Sequence, residues 1–343
     1  DQDFWEPAHF PPLHIQLGQW ADLLVIAPLT ANTLSKLASG AGDNLLTNTV
    51  LASVCPVLLA PAMNTDMWEQ VAVQRNWQLL QQDPRYHNIG PGAGLLACDR
   101  VGAGRMAEPI EIIAAVQSLL HTKGKRDLTG KHIFISAGGT REHLDPVRFM
   151  GNPATGKMGV ALARAAVIRG GSVTLVRAGA MDQGLLGTFT NLNIIKVVSS
   201  QEMAEAMFKC FPAADWIIMS AAVGDVKPAT YTGEKLPKQS LPSHLALEPV
   251  GDILAQLGER KQPHQKLIGF AAQTGEIVKP ALEKLKRKKL DGIVANPIDK
   301  ANAGFGSDTN EAVLLDTRGR QKLIESCSKL ELAHHILDFV GDI

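Results

Sequence analysis

Two tandem α/β domains, each a doubly wound, Rossmann-like, three-layer fold, are the architecture this sequence predicts, on three observations. Apolar runs of strand length alternate with amphipathic stretches of helix length, the pattern of parallel strands covered on both faces by crossover helices. That alternation occurs twice along the chain. Its 343 residues are too many for one average domain and suit two.

In the first part, Asp22-Leu-Leu-Val-Ile-Ala27 and Pro56-Val-Leu-Leu-Ala60 read as buried strands, with helical patterns over about 31–53, 66–82 and 108–121. A polar, charged, non-periodic stretch around 123–130 reads as a linker, dividing domains at 1–122 and 131–343. Beyond it, strands are expected at 131–136, 172–177, 193–198, 215–222, 266–272 and 291–295. Helices are expected near 156–170, 200–210, 251–260 and 276–289, then a hairpin near 311–324 and a closing helix from about 328. No internal repeat or heptad pattern is visible.

Composition narrows the function classes. Lys plus Arg and Asp plus Glu each total 34, so no bulk charge points to nucleic acid or an anionic membrane, and any phosphate site must be local. No apolar run approaches the roughly 20 residues that span a bilayer, and the opening Asp1-Gln-Asp-Phe-Trp5 lacks a basic-then-apolar signal pattern. Cysteines 55, 98, 210 and 327 have neither a disulfide nor a zinc spacing, in keeping with a reducing, cytoplasmic setting. The chain opens on loop-like sequence without Met, which leads to the expectation of further N-terminal residues.

Doubly wound sheets bind ligands at the carboxyl ends of their strands, so the loops after strands hold the functional candidates. After Ile26 come Thr30, Asn32 and Thr33, small donors at a helix start that suit a phosphate or a heterocycle edge; helix capping accounts for one of them, not the set. After Leu59 comes Asn64, a neutral amide able to fix a carboxylate; as a helix N-cap it has an equally good structural role. His14 is a proton carrier by residue type, although a lone histidine among apolar neighbours is more often structural. Cys98 sits in Gly94-Leu-Leu-Ala-Cys-Asp-Arg-Val-Gly-Ala-Gly-Arg-Met106, which reads as a flexible glycine-rich lid with Arg100 and Arg105 placing positive charge near a thiol.

Taken in order, His14-Ile15, Ala31-Asn-Thr33, Pro61-Ala-Met-Asn-Thr-Asp-Met-Trp68 and Ala97-Cys98 through Gly102-Ala-Gly-Arg-Met106 resemble the flavin-containing cysteine decarboxylases. The resemblance is to the phosphopantothenoylcysteine decarboxylases of coenzyme A synthesis, and it implies a flavodoxin-like flavoprotein fold truncated at its start. It further implies FMN near the Thr30–Thr33 loop, His14 beside the flavin, Asn64 on the substrate carboxylate and Cys98 as the acid. The chemistry is coherent, because loss of CO₂ from a cysteinyl amide leaves a carbanion without an electron sink unless a flavin first oxidises the thiol-bearing carbon. The family's opening strand and phosphate loop are not in this sequence.

In the second part, strand His132–Ser136 runs into Ala137-Gly-Gly-Thr-Arg141, and Gly151-Asn-Pro-Ala-Thr-Gly-Lys-Met-Gly159 opens a helix. A glycine-rich turn with Gly-Lys at a helix start binds phosphate through backbone amides. Its spacing is neither the dinucleotide fingerprint nor a Walker loop. Strand Trp216–Ser220 ends in Ala221-Ala-Val-Gly-Asp-Val-Lys-Pro228, placing Asp225 at the strand terminus, and Gly233-Glu-Lys-Leu-Pro-Lys238 follows.

This set resembles the phosphopantothenate–cysteine ligase domain, and its fusion behind a decarboxylase resembles the bacterial bifunctional enzymes. The resemblance implies that Met219, Ser220, Ala221, Asp225, Lys235, Gly251, Asp252, Ile253, Leu254, Phe270, Lys284 and Lys288 surround CTP. It assigns Asn152 to an acyl-cytidylate intermediate and a Mg²⁺ to Asp225. The substrates implied are 4′-phosphopantothenate, cysteine and CTP, and the implied assembly is a homo-oligomer with trimeric decarboxylase and dimeric ligase domains. Departures from the family pattern are Ala154-Thr155 for Ser-Ser, Gln273 for glutamate and Gly251 for proline. Two alternatives stay open on sequence: a ligase beside a non-functional flavoprotein remnant, and a flavin-fold regulatory binding protein.

Overall fold

The computed structural model describes residues 11–95, 101–179, 189, 191–299 and 306–343. They form two compact units, one within Asp1–Arg126 and the other within Asp127–Asp182 and Asn191–Ile343. Among the described residues no helix is long and apolar enough to cross a membrane.

The first unit runs α1 (Leu13–Trp20), β1 (Leu24–Leu29), α2 (Ala31–Ser39), α3 (Leu45–Ala52), β2 (Val57–Pro61), α4 (Thr65–Trp68), α5 (Val71–Gln81), β3 (Tyr86–Asn88), β4 (Gly92–Leu95), β5 (Val101–Arg105) and α6 (Pro109–Thr122). Strands β1, β2 and β3 form a parallel sheet in that order. The central strand β2 is buried along its whole length, which is why it reads as an unbroken apolar run. Its Val57 and Leu59 pack with Ile26, Leu29, Leu34, Val50, Leu80 and Tyr86. Burying each such side chain stabilises the fold by roughly 1.5–3 kcal/mol.

The helical pattern expected over 66–82 is two helices, α4 and α5, and β3 was not expected; three further features also differ from the sequence expectations. The helical pattern over 31–53 is two helices, because Gly40 takes a left-handed conformation at the end of α2 and Asn44 starts α3 by accepting from the Thr47 amide. Helix α1 was legible only as loop, since eight residues behind Pro12 carry little propensity of their own. It is held by packing on α3, where Gly18 lies so close that a Cβ would sit 2.9 Å from the Ala52 carbonyl carbon. The glycine-rich lid is flanked by paired strands, with β4 and β5 antiparallel. Glycine-rich strands carry a weak strand signal, and this pairing depends on tertiary contact.

The second unit runs β6 (His132–Ala137), β7 (Arg141–His143), β8 (Phe149–Gly151), α7 (Lys157–Ile168), β9 (Ser172–Ala178), β10 (Leu192–Val197), α8 (Ser200–Cys210), β11 (Trp216–Met219), β12 (Val226–Pro228), β13 (Leu247–Pro249), α9 (Ile253–Arg260), β14 (Lys266–Gln273), α10 (Val278–Arg287), β15 (Gly292–Pro297), β16 (Thr309–Asp316), β17 (Gln321–Ser328) and α11 (Lys329–Asp342). Eight strands form one sheet in the order β10-β9-β6-β11-β14-β15-β16-β17. The first six are parallel, and the β16–β17 hairpin closes the edge antiparallel. The α/β fold class expected from sequence therefore holds.

After β6 the chain builds outward through β9 and β10, then returns to the other side of β6 with β11. The switch point lies between β6 and β11, and the crevice beyond their carboxyl ends is where such a sheet takes a ligand. Two small hairpins, β7–β8 and β12–β13, add to this unit outside the main sheet. Strand β11 stops at Met219, so Asp225 stands beyond the strand terminus, just ahead of β12.

Candidate functional site

A cleft of about 590 Å³ opens at that switch point. The loop after β6 makes its floor. Gly138 has φ +83°, and a Cβ there would fall 2.1 Å from the Ala178 carbonyl oxygen, so only glycine turns the chain at this point. The loop after β11 is laced to it: the Ala221 amide donates to Ser136 Oγ (3.2 Å), the Ala222 amide to the Gly138 carbonyl (2.9 Å), and the Gly224 amide to Thr140 Oγ1 (2.9 Å). The backbone leading to Asp225 is thus fixed by buried partners, while the Asp225 carboxylate is exposed in the cleft wall.

Asn152 follows β8 and lines the cleft. Its side-chain amide donates at 3.4 Å to the carbonyls of Ala222 and Val223, so this neutral residue braces the same loop. Across the cleft, Asp252 caps α9 by accepting from the Ala255 amide (3.0 Å) and pairs with Lys288 (2.8 Å). Burial alone would raise the Asp252 carboxyl, but the Lys288 ammonium and the Ala255 amide outweigh it and hold it below its ordinary value.

Lys284 donates to the Phe270 carbonyl at 2.7 Å. Burial, reinforced by the nearby Lys288 and Arg287 cations and only partly offset by Asp252 and Asp225, lowers its ammonium to about 8. An anion bound against Lys284 favours the charged form, whereas free protein loses that charge as pH rises through about 8. Affinity for an anion bound against Lys284 should therefore fall above pH 8, by at most about tenfold per pH unit for one proton. Calorimetry in buffers of different ionisation heat should detect proton uptake on binding near pH 8–9, absent in Lys284→Met; equal uptake in that variant assigns the proton elsewhere.

Met219, Ser220, Ala221, Gly251, Ile253, Leu254 and Phe270 also line the cleft, with Asn152, Asp225, Asp252, Lys284 and Lys288. Lys235 is not among the lining residues; it is exposed on the loop before Leu236. The cleft is also lined by Lys157, from the Gly-Lys helix start, and by Lys329 and Asn310, which sequence reasoning did not single out. Lys157 pairs with Asp308 (2.6 Å), and Lys329, 9% exposed, donates to the carbonyls of Ser307 and Thr309. Lys157 was visible as the Gly-Lys of the helix start; Lys329 and Asn310 carry no local motif and reach the cleft through the edge hairpin.

In the first unit, Thr30 caps α2, its hydroxyl accepting from the Thr33 amide (3.3 Å) and donating to the Thr33 hydroxyl (3.2 Å). With Asn32, these groups stand at the carboxyl end of β1. Asn64 caps α4, its carbonyl oxygen accepting from the Asp66 amide (2.8 Å). Next to it, the Met63 amide donates to the Gly104 carbonyl (3.0 Å), and at φ +136° Gly104 comes close enough to Met63 that no side chain fits. The β4–β5 hairpin is thereby seated on the Asn64 turn. Arg105 pairs with Glu108. His14 is half-buried on α1. Cys98 and Arg100 lie outside the described residues.

A flavoprotein-type α/β unit and a second α/β unit with a switch-point cleft define the class of molecule, and comparison with known proteins specifies it. A family model described as the DNA/pantothenate metabolism flavoprotein C-terminal domain matches residues 128–343, and one described as flavoprotein matches residues 2–121. The coenzyme A biosynthesis bifunctional protein CoaBC of Bacillus subtilis (strain 168) is 43% identical over 331 residues, covering 96% of this chain and 80% of that protein. A cysteine/cysteine sulfinic acid decarboxylase from an unknown prokaryotic organism is 42% identical over 326 residues, covering 94% and 90%. Among solved structures, the C-terminal domain of a CoaBC matches with a TM-score of 0.53 and 34% identity, over 64% of this chain and 97% of its own. The chain belongs to the DNA/pantothenate metabolism flavoprotein family, in the bifunctional arrangement that joins a flavoprotein domain to that C-terminal domain.

Proposed function

We propose that this enzyme joins 4′-phosphopantothenate to cysteine at the expense of CTP and then decarboxylates the product to 4′-phosphopantetheine. The observation that carries the first step is the convergence on one cleft of Asp225, Asp252, Lys284, Lys288 and Asn152 from separate elements. In this reading the pantothenate carboxylate attacks the α-phosphorus of CTP and the bond to the β-phosphate oxygen breaks, releasing pyrophosphate. The cysteine amine then attacks the acyl carbon, CMP leaves with the activated oxygen, and an amide forms. Lys284, Lys288 and Lys235 offset the charge that develops on the phosphates. Asp225 is an exposed hard oxygen donor, which fits a Mg²⁺ shared with the nucleotide.

For the second step, Thr30, Asn32 and Thr33 supply neutral donors at a helix start after β1, a donor set that fits FMN. Bound FMN would take two electrons from the thiol-bearing carbon before CO₂ leaves and would return them afterwards to the enethiol, so that the overall step is redox-neutral. Asn64 would orient the substrate carboxylate, His14 would stand beside the flavin, and Cys98 would deliver the proton after CO₂ leaves. The assembly is proposed to be a homo-oligomer.

A second reading follows from the relative named for cysteine and cysteine sulfinic acid: decarboxylation of a free amino acid, without CTP. Purified protein supplied with CTP, Mg²⁺, 4′-phosphopantothenate and cysteine should release pyrophosphate and CO₂ in equal amounts, and omission of CTP should stop both. CO₂ from cysteine or cysteine sulfinic acid alone, at the same rate, overturns the first reading in favour of the second. The protein should also carry a flavin absorption spectrum.

A further inference from the structure

Asp145 is 0% exposed, and both its oxygens are engaged. Oδ1 accepts from the amides of Val147 (2.8 Å) and Arg148 (2.7 Å), which forms the turn of the β7–β8 hairpin. Oδ2 does something a turn does not require. It accepts from Arg148 Nη1 (2.6 Å) and from the amide of Leu236 (3.3 Å), far along the chain. The same Arg148 nitrogen donates to the Leu236 carbonyl (3.1 Å), so the pair holds both polar groups of one distant peptide residue. A second tie lies at the other end of that loop, where the Thr232 amide donates to the Leu144 carbonyl (3.0 Å).

Between the two ties stand Gly233, Glu234 and Lys235, all exposed, with open space around Gly233. The hairpin that holds this short loop also ends in β8, directly before Asn152. Two residues proposed for the ligation thus depend on one small hairpin, at whose turn a carboxylate is buried. Burial alone would raise that carboxyl, but the Arg148, Val147 and Leu236 amides and the Arg148 guanidinium hold it at about 2, so it stays ionised throughout the working range.

We propose that Asp145 is a positioning residue for acyl-cytidylate formation: through Oδ2 it fixes the loop that presents Lys235, in register with Asn152. This rests on the role proposed for Lys235. The inference separates from a turn-forming role by chemistry, because Asp145→Asn keeps an oxygen for the Val147 and Arg148 amides. It replaces Oδ2 by an N–H group that faces two donors, which releases Leu236.

The test is pyrophosphate release from CTP and 4′-phosphopantothenate by the full chain without cysteine. Asp145→Asn should slow it by about tenfold or more, as a misplaced group of this kind does. Hydrogen exchange should rise at Leu236 and remain unchanged in β6 and β9. In a Lys235→Gln background Asp145→Asn should add nothing, since the group it positions is already gone. A wild-type rate for Asp145→Asn, or the same slowing factor in both backgrounds, overturns the inference. A wild-type rate for Lys235→Gln instead overturns the reading of Lys235 on which it rests. If Asp145→Asn does not fold, insertion of two glycines after Gly233 decides the matter, as it lengthens the loop between ties without touching either. That variant should show the same loss, and full activity in it overturns the proposal.

Discussion

Lys235→Gln should suppress pyrophosphate release by about a hundredfold or more even before cysteine is added, the scale on which loss of one charge-stabilising donor acts in a transition state. Lys235 is exposed between two backbone ties made by other residues, so its replacement removes a charge and leaves the loop in place. Melting temperature should not change. Asn152→Asp should fail differently: pyrophosphate forms, and the activated acyl group accumulates because its transfer to cysteine is impaired. The Asn152 amide also donates to the carbonyls of Ala222 and Val223, next to Asp225. A carboxylate in its place meets those oxygens with repulsion. Pyrophosphate measured with and without cysteine separates the two roles. If Asn152→Asp abolishes pyrophosphate release as well, its main contribution is to hold the Asp225 loop; if Lys235→Gln releases it normally, Lys235 has no part in activation.

Cys98→Ser should leave CO₂ release close to wild type while product formation falls by about a hundredfold, within the range for loss of a general acid. A thiol, with an ordinary pKa of about 8.5, transfers a proton far more readily than an alcohol does. The unprotonated enethiol should accumulate and be identifiable by mass. His14→Asn should stop the reaction earlier, with no CO₂ and no change in the flavin spectrum on adding substrate. Full 4′-phosphopantetheine formation by Cys98→Ser removes Cys98 from the acid role, and flavin reduction at the wild-type rate in His14→Asn makes His14 structural. Strands β4 and β5 are seated on the Asn64 turn by the Met63–Gly104 hydrogen bond. Gly104→Ala, which has no room for its Cβ, serves as a control for the lid rather than for the thiol.

Strands β1 and β2 and the eight strands of the second unit's main sheet were legible in the chain because their cause is local. Ile217, Ile218 and their neighbours in β11 are buried on both faces, and a parallel strand in that position has to be an apolar run. Ser220, Phe270 and the Gly251–Leu254 stretch line the cleft, and the family resemblance named them before their positions were known. Helix α1, the lid strands and the two ties on the Lys235 loop were not legible. Their stability comes from contacts between residues far apart in sequence: Gly18 against Ala52, Met63 against Gly104, and Asp145 against Leu236. Local propensity records what a segment does with its immediate neighbours, and a buried carboxylate whose second oxygen meets an amide some ninety residues away (Asp145 to Leu236) leaves no trace there. The folding of the sheet brings such partners within reach, and the low-dielectric interior then makes their pairing obligatory.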